Sequence, residues 1–282
     1  MEERRMPPNN SHQEISPKRS ALPCVTFSWR EILLLTLFIT PYFFLLTLSL
    51  GNGWTYPRLL PDRLDFTPWH HFFNDTHRSL NAFTNSLFLS IVVATLSTAL
   101  GLVVGYHLRR KSWLYTLVIF LPFVVSPMIV GICLLDIAIR INLASTYLGI
   151  ILGQFFFAFA FAAIFFSELW NRDIDRRMAL VESLGGTSLA VFRHAVLPRI
   201  WPLIVVCWTQ TAMFSWLDYG IISTIGGGVI RSLTLNLFAF IREGSVNQAA
   251  QAAIVLMTPP LLAMLIAIWL LSGRTLGRNR HE

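Results

Sequence analysis

The sequence predicts an all-α membrane protein with six transmembrane helices and both termini in the cytoplasm. Three observations carry that prediction. Of the 282 residues, 54% are hydrophobic and 13% charged, about half the charged share of an ordinary soluble domain. The apolar residues fall into blocks of roughly 20, the length a helix needs to cross about 30 Å of hydrocarbon. The basic residues crowd on one side of the topology that those blocks define. Such a composition excludes a disordered chain and does not build a soluble enzyme.

Residues 1–30 are polar and form a cytoplasmic tail. The first block, Leu33 to Leu50, is longer than a secretory h-region of 7–15 residues and has no convincing cleavage site, so it is a retained span. The next blocks run near 84–106, 114–138, 147–169, 201–222 and 252–272. The transmembrane domain therefore covers 31–272, and a second cytoplasmic tail covers 273–282. Sixteen of the 22 basic residues lie on the side of the termini, among them Arg109-Arg110-Lys111, Arg172, Arg176, Arg177, Arg193 and Arg199. Six lie opposite: Arg58, Arg63, Arg78, Arg140, Arg231 and Arg242. An excess of that kind marks the cytoplasmic face, and Trp29, Trp113, Trp170, Trp201 and Trp269 fall at the same interface as an aromatic belt. The bias accounts for the net charge of +7 without nucleic acid as a partner. Cys24, Cys133 and Cys207 are far apart with no C-x-x-C pattern, so neither a disulfide framework nor a zinc site is expected.

Within the spans, Gly101 and Gly105 have the small-xxx-small spacing that permits close helix packing. The last three spans do not repeat the first three, so the internal symmetry of many secondary transporters is missing. The run Phe155-Phe156-Phe157 with Phe159 and Phe161 covers every helix face and reads as lipid contact and packing. Asp136 has Arg140 one turn on, and Glu168 has Arg172, so local ion pairs are expected at both places. Asp218 is different: it lies late in the most polar span, and an ionisable residue there is a functional candidate by default. With Gln210, Trp216 and Tyr219 it is expected to line a solute pathway, where a carboxylate beside aromatic rings suits a cation. The alternative is an interfacial aspartate that holds the outer loop or caps the end of the span. His70, His71 and His77 with Asp75 have metal-ligating side chains, but Trp69, Phe72 and Phe73 around them better fit an amphipathic helix on the membrane surface, and no metal is expected. Gly226-Gly227-Gly228 is external and no Lys-Ser/Thr follows it, so it is no phosphate loop. His107 and His194 lie on the cytoplasmic side, away from the other histidines. No catalytic residues are assigned.

The cytoplasmic segment of about 170–200 is the most informative. Leu180 and Leu184 are one helical turn apart with Val181 beside them, which predicts a short helix with a small apolar face. Gly185-Gly186 then stops it, and Pro198 marks the return toward the fifth span. A plain connection needs only a few residues. Some thirty, spent on an amphipathic helix and a sharp turn, make a docking surface.

This segment resembles the EAA signature of permease subunits of binding-protein-dependent ABC importers, E-A-A-x-x-x-G-x(11)-L-P. Gly185 and Leu197-Pro198 stand at that spacing, with Leu184 before the glycine and Phe192 between. The three leading positions are Ala179, Leu180 and Val181, so the first glutamate is absent, and Glu182 lies close after them. The resemblance extends over about 66–272. Phe83-Thr84-Asn85-Ser86-Leu87 is similar to the family's opening of the second span, and Pro122, Pro127 and Gly131 match its proline–glycine pattern in the third. The stretch from Leu233 through Arg242-Glu243-Gly244 to Ala249-Ala250 looks like the outer segment of polyamine, iron, thiamine and aminoethylphosphonate-type permeases.

The resemblance implies the type I ABC importer permease fold and a non-catalytic subunit that forms the solute pathway. It implies coupling to the ATPase through Ala179, Leu180, Glu182, Leu184, Gly185, Phe192, Leu197 and Pro198. The implied partners are a cytoplasmic ABC ATPase dimer, a second permease subunit in a homo- or heterodimer, and a periplasmic solute-binding protein. The implied location is the bacterial inner membrane. ATP belongs on the partner ATPase, and no cofactor is expected on this chain. Together with Asp218 the resemblance points to a small cationic solute of the polyamine or thiamine class. The alternative from a different class is an ion-coupled secondary transporter or channel that uses Asp136 and Asp218.

Overall fold

An apolar segment away from water satisfies its backbone N–H and C=O groups internally by becoming a helix, and each of the six apolar blocks is helical over most of its length. The computed structural model describes residues 29–52, 63–64, 69–70, 72, 79–108, 113–170 and 172–278. Outside them lie the tail as far as residue 28, including Cys24, most of the first outer segment with His71, Asp75 and His77, the basic run Arg109-Arg110-Lys111, and residues 279–282.

Helix α1 spans Trp29–Leu50 and carries Pro41. The chain divides into two units between Tyr42 and Phe43. In the first, the described residues are the N-terminal part of α1, with Trp29, Leu33 and Leu37 exposed. The second begins with the end of α1, where Gly51–Asn52 pairs antiparallel with Arg63–Leu64. It continues with α2 (Asn81–Leu108), α3 (Trp113–Phe120), a 3-10 turn (Leu121–Val124), α4 (Pro127–Arg140) and α5 (Tyr147–Leu169). After these come α6 (Arg172–Ser183), α7 (Ser188–Val191), α8 (Leu197–Trp216), α9 (Gly220–Ile225), α10 (Leu233–Arg242) and α11 (Val246–Arg278).

Among the described residues, α2 and α5 are each long and apolar enough to cross a membrane. The third predicted span is not one straight helix. Its arms, Leu114–Val124 and Pro127–Arg140, meet at 95°. Ser126 precedes a proline and is held out of the helical region at ψ 137°, while Pro127 sits at the start of α4, where its missing N–H costs nothing. The fifth predicted span also differs, since α8 starts at Leu197 and stops at Trp216, and residues 220–225 form the separate α9. The outer segment predicted over about 223–251 contains α10, whose N-cap Ser232 accepts a hydrogen bond from the Leu235 N–H at 3.1 Å. Helix α11 runs past the predicted end at 272 to Arg278.

Small residues let α2 and α5 lie close: Gly101 stands against Ala162 and Ala163, and Ala94 and Ala158 are buried in the same two helices. A Cβ on Gly105 would stand 2.7 Å from that of Phe166, so the approach requires glycine. Helix α8 joins them through the Thr98 and Thr211 hydroxyls, 3.3 Å apart, and through the Trp208 indole N–H, which donates to Thr95 Oγ1 at 3.1 Å. Glycine also seats α9 against α4, with Gly220 on the Met128 backbone and Gly131 on Thr224. Asp136 and Arg140 pair at 2.9 Å as their spacing predicts. The partner expected for Glu168, the Arg172 side chain, lies outside the described atoms. The phenylalanine run divides between inside and outside: Phe157 is buried, Phe156 is exposed, and Phe155 stacks on Phe159 at 5.1 Å.

Candidate functional site

The segment predicted to be cytoplasmic folds as helix, stop and helix. Ile174, Met178 and Val181, at i, i+4 and i+7 of α6, pack with Val191, Val196 and Ile200 and reach Leu102 of α2 and Ile204 of α8. This stripe holds α6 to the base of the bundle. Ala179, Leu180, Glu182 and Leu184 are exposed, Leu180 at 62% and Leu184 at 79%. Val181 thus belongs to the inner face, and the outer apolar face is made by Leu180 and Leu184.

Gly185 ends α6 with φ +79°. Its N–H donates to Glu182 O and that of Gly186 to Val181 O, both at 3.0 Å, which satisfies the last carbonyls in a Schellman motif. Thr187 starts α7, accepting from the Ala190 N–H at 3.4 Å. A π-helical turn, Phe192–Val196, then leads into α8 without a break. Pro198 has no N–H to offer the helix, and the Leu197 N–H reaches back five residues to Phe192 O. Leu197 and Pro198 therefore form the head of α8. Phe192 and Glu182 share a groove of about 400 Å³ with Tyr106, His107 and Met178, whereas Leu180, Leu184 and Gly185 are not among its walls.

At the other end of α8, Gln210, Asp218 and Tyr219 line a cavity of about 550 Å³ together with Ser126, Met128 and Met213. Trp216 is not part of it. The indole is buried at 2% exposure, edge-on to Phe83, and its N–H donates to Leu256 O at 2.8 Å. The Asp218 carboxylate accepts from the Ile221 and Ile222 N–H groups at 3.2 and 3.1 Å and so caps α9. It also accepts from Gln154 Nε2 at 3.0 Å, while Gln154 Oε1 accepts from Ser215 Oγ at 2.6 Å. Asp218 thus caps the start of α9 and also faces a cavity. Tyr219 OH accepts from Arg242 at 2.8 Å, and its ring lies against Phe238.

Gln154 and the Ser126-Pro127 break escaped the sequence reading. An amide in the otherwise apolar run of α5 is the signal that marks Gln154, because a buried amide needs partners. For Ser126 the signal is the following proline, which disfavours the helical region at the residue before it.

No protein-family profile matches the chain. The chain is 19% identical over 219 residues to the spermidine/putrescine transport system permease protein PotC of Escherichia coli K12, covering 76% of this chain and 82% of that one. It is 26% identical over 276 residues to the putrescine transport system permease protein PotI of the same organism, covering 90% and 94%. Among solved structures, a chain from the crystal structure of a bacterial ABC transporter involved in the import of the acidic polysaccharide alginate superposes with a TM-score of 0.60. The identity there is 14%, and the match covers 86% of this chain and 92% of that one, which is a likeness of fold. Sequence similarity to transport-system permeases and a fold shared with a chain of an ABC transporter point the same way: the chain is similar to the membrane permease subunits of transport systems.

Proposed function

We propose that this chain is the permease subunit of an ABC importer and crosses the bacterial inner membrane six times with both termini in the cytoplasm. It pairs with a second permease subunit, receives a small cationic solute of the polyamine class from a periplasmic binding protein, and docks α6 on one subunit of a cytoplasmic ABC ATPase dimer. ATP is bound and hydrolysed on that partner, and this chain binds no cofactor. Closure of the ATPases moves α6, and the π-helical turn and Pro198 pass the movement to α8 as part of a rigid-body switch.

One observation carries the coupling reading. Leu180 and Leu184 stand exposed on a helix whose opposite face is packed and whose end is closed by Gly185. Two leucines on a cytoplasmic helix gain about 1.5–3 kcal/mol each when covered. Glu182, on the rim of the groove with Phe192, supplies the acidic contact that the family places at the absent first glutamate. The cationic solute is supported by the names of the relatives, which specify spermidine and putrescine, and by Asp218 at the wall of the large cavity. Asp136 is neutralised by Arg140, so an ion-coupled mechanism would rest on Asp218 alone.

The test is detergent co-purification of the tagged chain with a P-loop ATPase co-expressed as its partner. Wild type retains the ATPase, and Leu184→Glu loses it while inserting and melting as wild type does. An ATPase retained by Leu184→Glu overturns the docking assignment. A chain that purifies alone and moves solute in vesicles without ATP restores the ion-coupled alternative.

A further inference from the structure

The groove beside α6 has features that docking on an ATPase leaves unused. About 400 Å³ in volume, it takes Val103, Tyr106 and His107 from α2, Met178 and Glu182 from α6, and Phe192 from the π-helical turn. Trp170, the first residue after α5, also lines it and meets Tyr106 edge-on with ring centroids 4.8 Å apart.

Its level along the helices is informative. Among the described residues α2 and α5 are the helices long and apolar enough to cross a membrane, and both end at this groove. The 28 residues of α2 extend about 42 Å at 1.5 Å per residue. Hydrocarbon accounts for about 30 Å of that, so the last turn of α2 stands among headgroups. Tyrosine and tryptophan favour that level, with an apolar ring body and a polar edge.

On α2 the groove is the foot of a longer apolar surface. Leu96, Leu100 and Val103 lie on one stripe at i, i+4 and i+7, all exposed, and His107 continues it. An apolar track thus leads from the middle of a membrane-crossing helix into the groove. At about 30 Å³ for a small group, the groove holds roughly a dozen methylene-sized units. That is most of one acyl chain.

Basic residues accompany every one of these three elements. In the sequence Arg109-Arg110-Lys111 follows His107-Leu108 directly. Helix α6 carries exposed Arg176 and Arg177, and exposed Arg193 and His194 follow Phe192. Among the described residues that line the groove, Glu182 is the only acid. Cations beside an apolar slot at headgroup level attract lipid phosphate. We infer that the groove holds one acyl chain of an anionic phospholipid, with its phosphate held by these cations.

Such a chain touches α2, α6 and the π-helical turn together and fills the space between the docking helix and the bundle. Movement of α6 then reaches α2 through packed groups instead of across a gap, so occupancy tightens coupling. The site takes from the proposed function only that α2 and α5 end at the cytoplasmic face. Leu180 and Leu184, which carry the ATPase docking, are not among its walls.

The full chain is placed in nanodiscs of equal parts phosphatidylglycerol and phosphatidylcholine, and native mass spectrometry identifies the lipid that stays bound on release. Wild type is expected to retain one phosphatidylglycerol. Val103→Phe, which puts a ring into the groove, loses it. Leu87→Phe, at an exposed position of α2 outside the groove, keeps it. Replacing Arg109, Arg110 and Lys111 by glutamine leaves the walls intact and lowers the preference for phosphatidylglycerol about fivefold for each charge removed. That variant carries the test where Val103→Phe fails to melt as wild type does. Retention by Val103→Phe equal to wild type, or equal loss in Leu87→Phe, overturns the site. So do phosphatidylcholine held as readily as phosphatidylglycerol, a preference unchanged in the glutamine variant, a free fatty acid in place of the phospholipid, and a wild type released bare. None of these touches the importer reading, which falls instead if the co-expressed ATPase does not co-purify with wild type.

Discussion

The indole N–H of Trp216 donates at 2.8 Å to the carbonyl of Leu256, four residues before Pro260. In a regular helix that carbonyl would accept from residue 260, but proline has no N–H to give. Trp216 thus meets a need created by the proline pair of α11 and ties the end of α8 to it. This is the physical reason that Trp216 stands in the core while its neighbour Asp218 faces the cavity.

Trp216→Phe should therefore cost stability. It keeps the aromatic packing on Phe83 and strands the Leu256 carbonyl, a loss of about 1–3 kcal/mol. Thermal melting in detergent measures it, and a melting point equal to that of wild type would show that the bond contributes nothing.

Gln154→Leu removes a donor from Asp218 and an acceptor from Ser215 in one step. The expected penalty is again about 1–3 kcal/mol for the polar groups left unpaired. Transport should fall further than stability does, because the carboxylate loses its fixed direction. Solute uptake measured alongside melting separates the two effects.

Gly105→Val places side-chain atoms where Phe166 already stands. Overpacking of this kind costs about 1–3 kcal/mol, and the separation of α2 from α5 should weaken the whole bundle. Expression level and melting temperature should drop together.

At Gly185 space is not the constraint, since a Cβ there meets nothing within 4 Å. Backbone conformation is, because φ +79° costs an L-residue about 1–2 kcal/mol. Gly185→Val should insert normally and leave its partner ATPase hydrolysing ATP without transport, whereas Gly185→Asn, which tolerates the left-handed region, should keep coupling. Equal transport by both variants would remove the turn from the coupling mechanism.

The pattern of residues by itself determined that the chain is helical, with apolar segments long enough to cross a membrane, and that α6 ends at Gly185. These are local consequences: a run of apolar side chains in hydrocarbon must be helical, and a glycine after such a run accepts the left-handed turn. The Asp136–Arg140 pair was legible for the same reason, as one helical turn brings the two together. Tertiary structure alone decided which side each residue faces. Val181 and Leu180 are adjacent, yet one packs inward and the other points out. Trp216 and Asp218 are two apart and belong to different surroundings. Gln154 becomes part of the site only because α5 lies beside the end of α8, and Pro127, at the bend of the third span, lines the cavity that Asp218 faces. Side-chain direction at these places is set by which helices touch, and that depends on contacts between residues far apart in the chain.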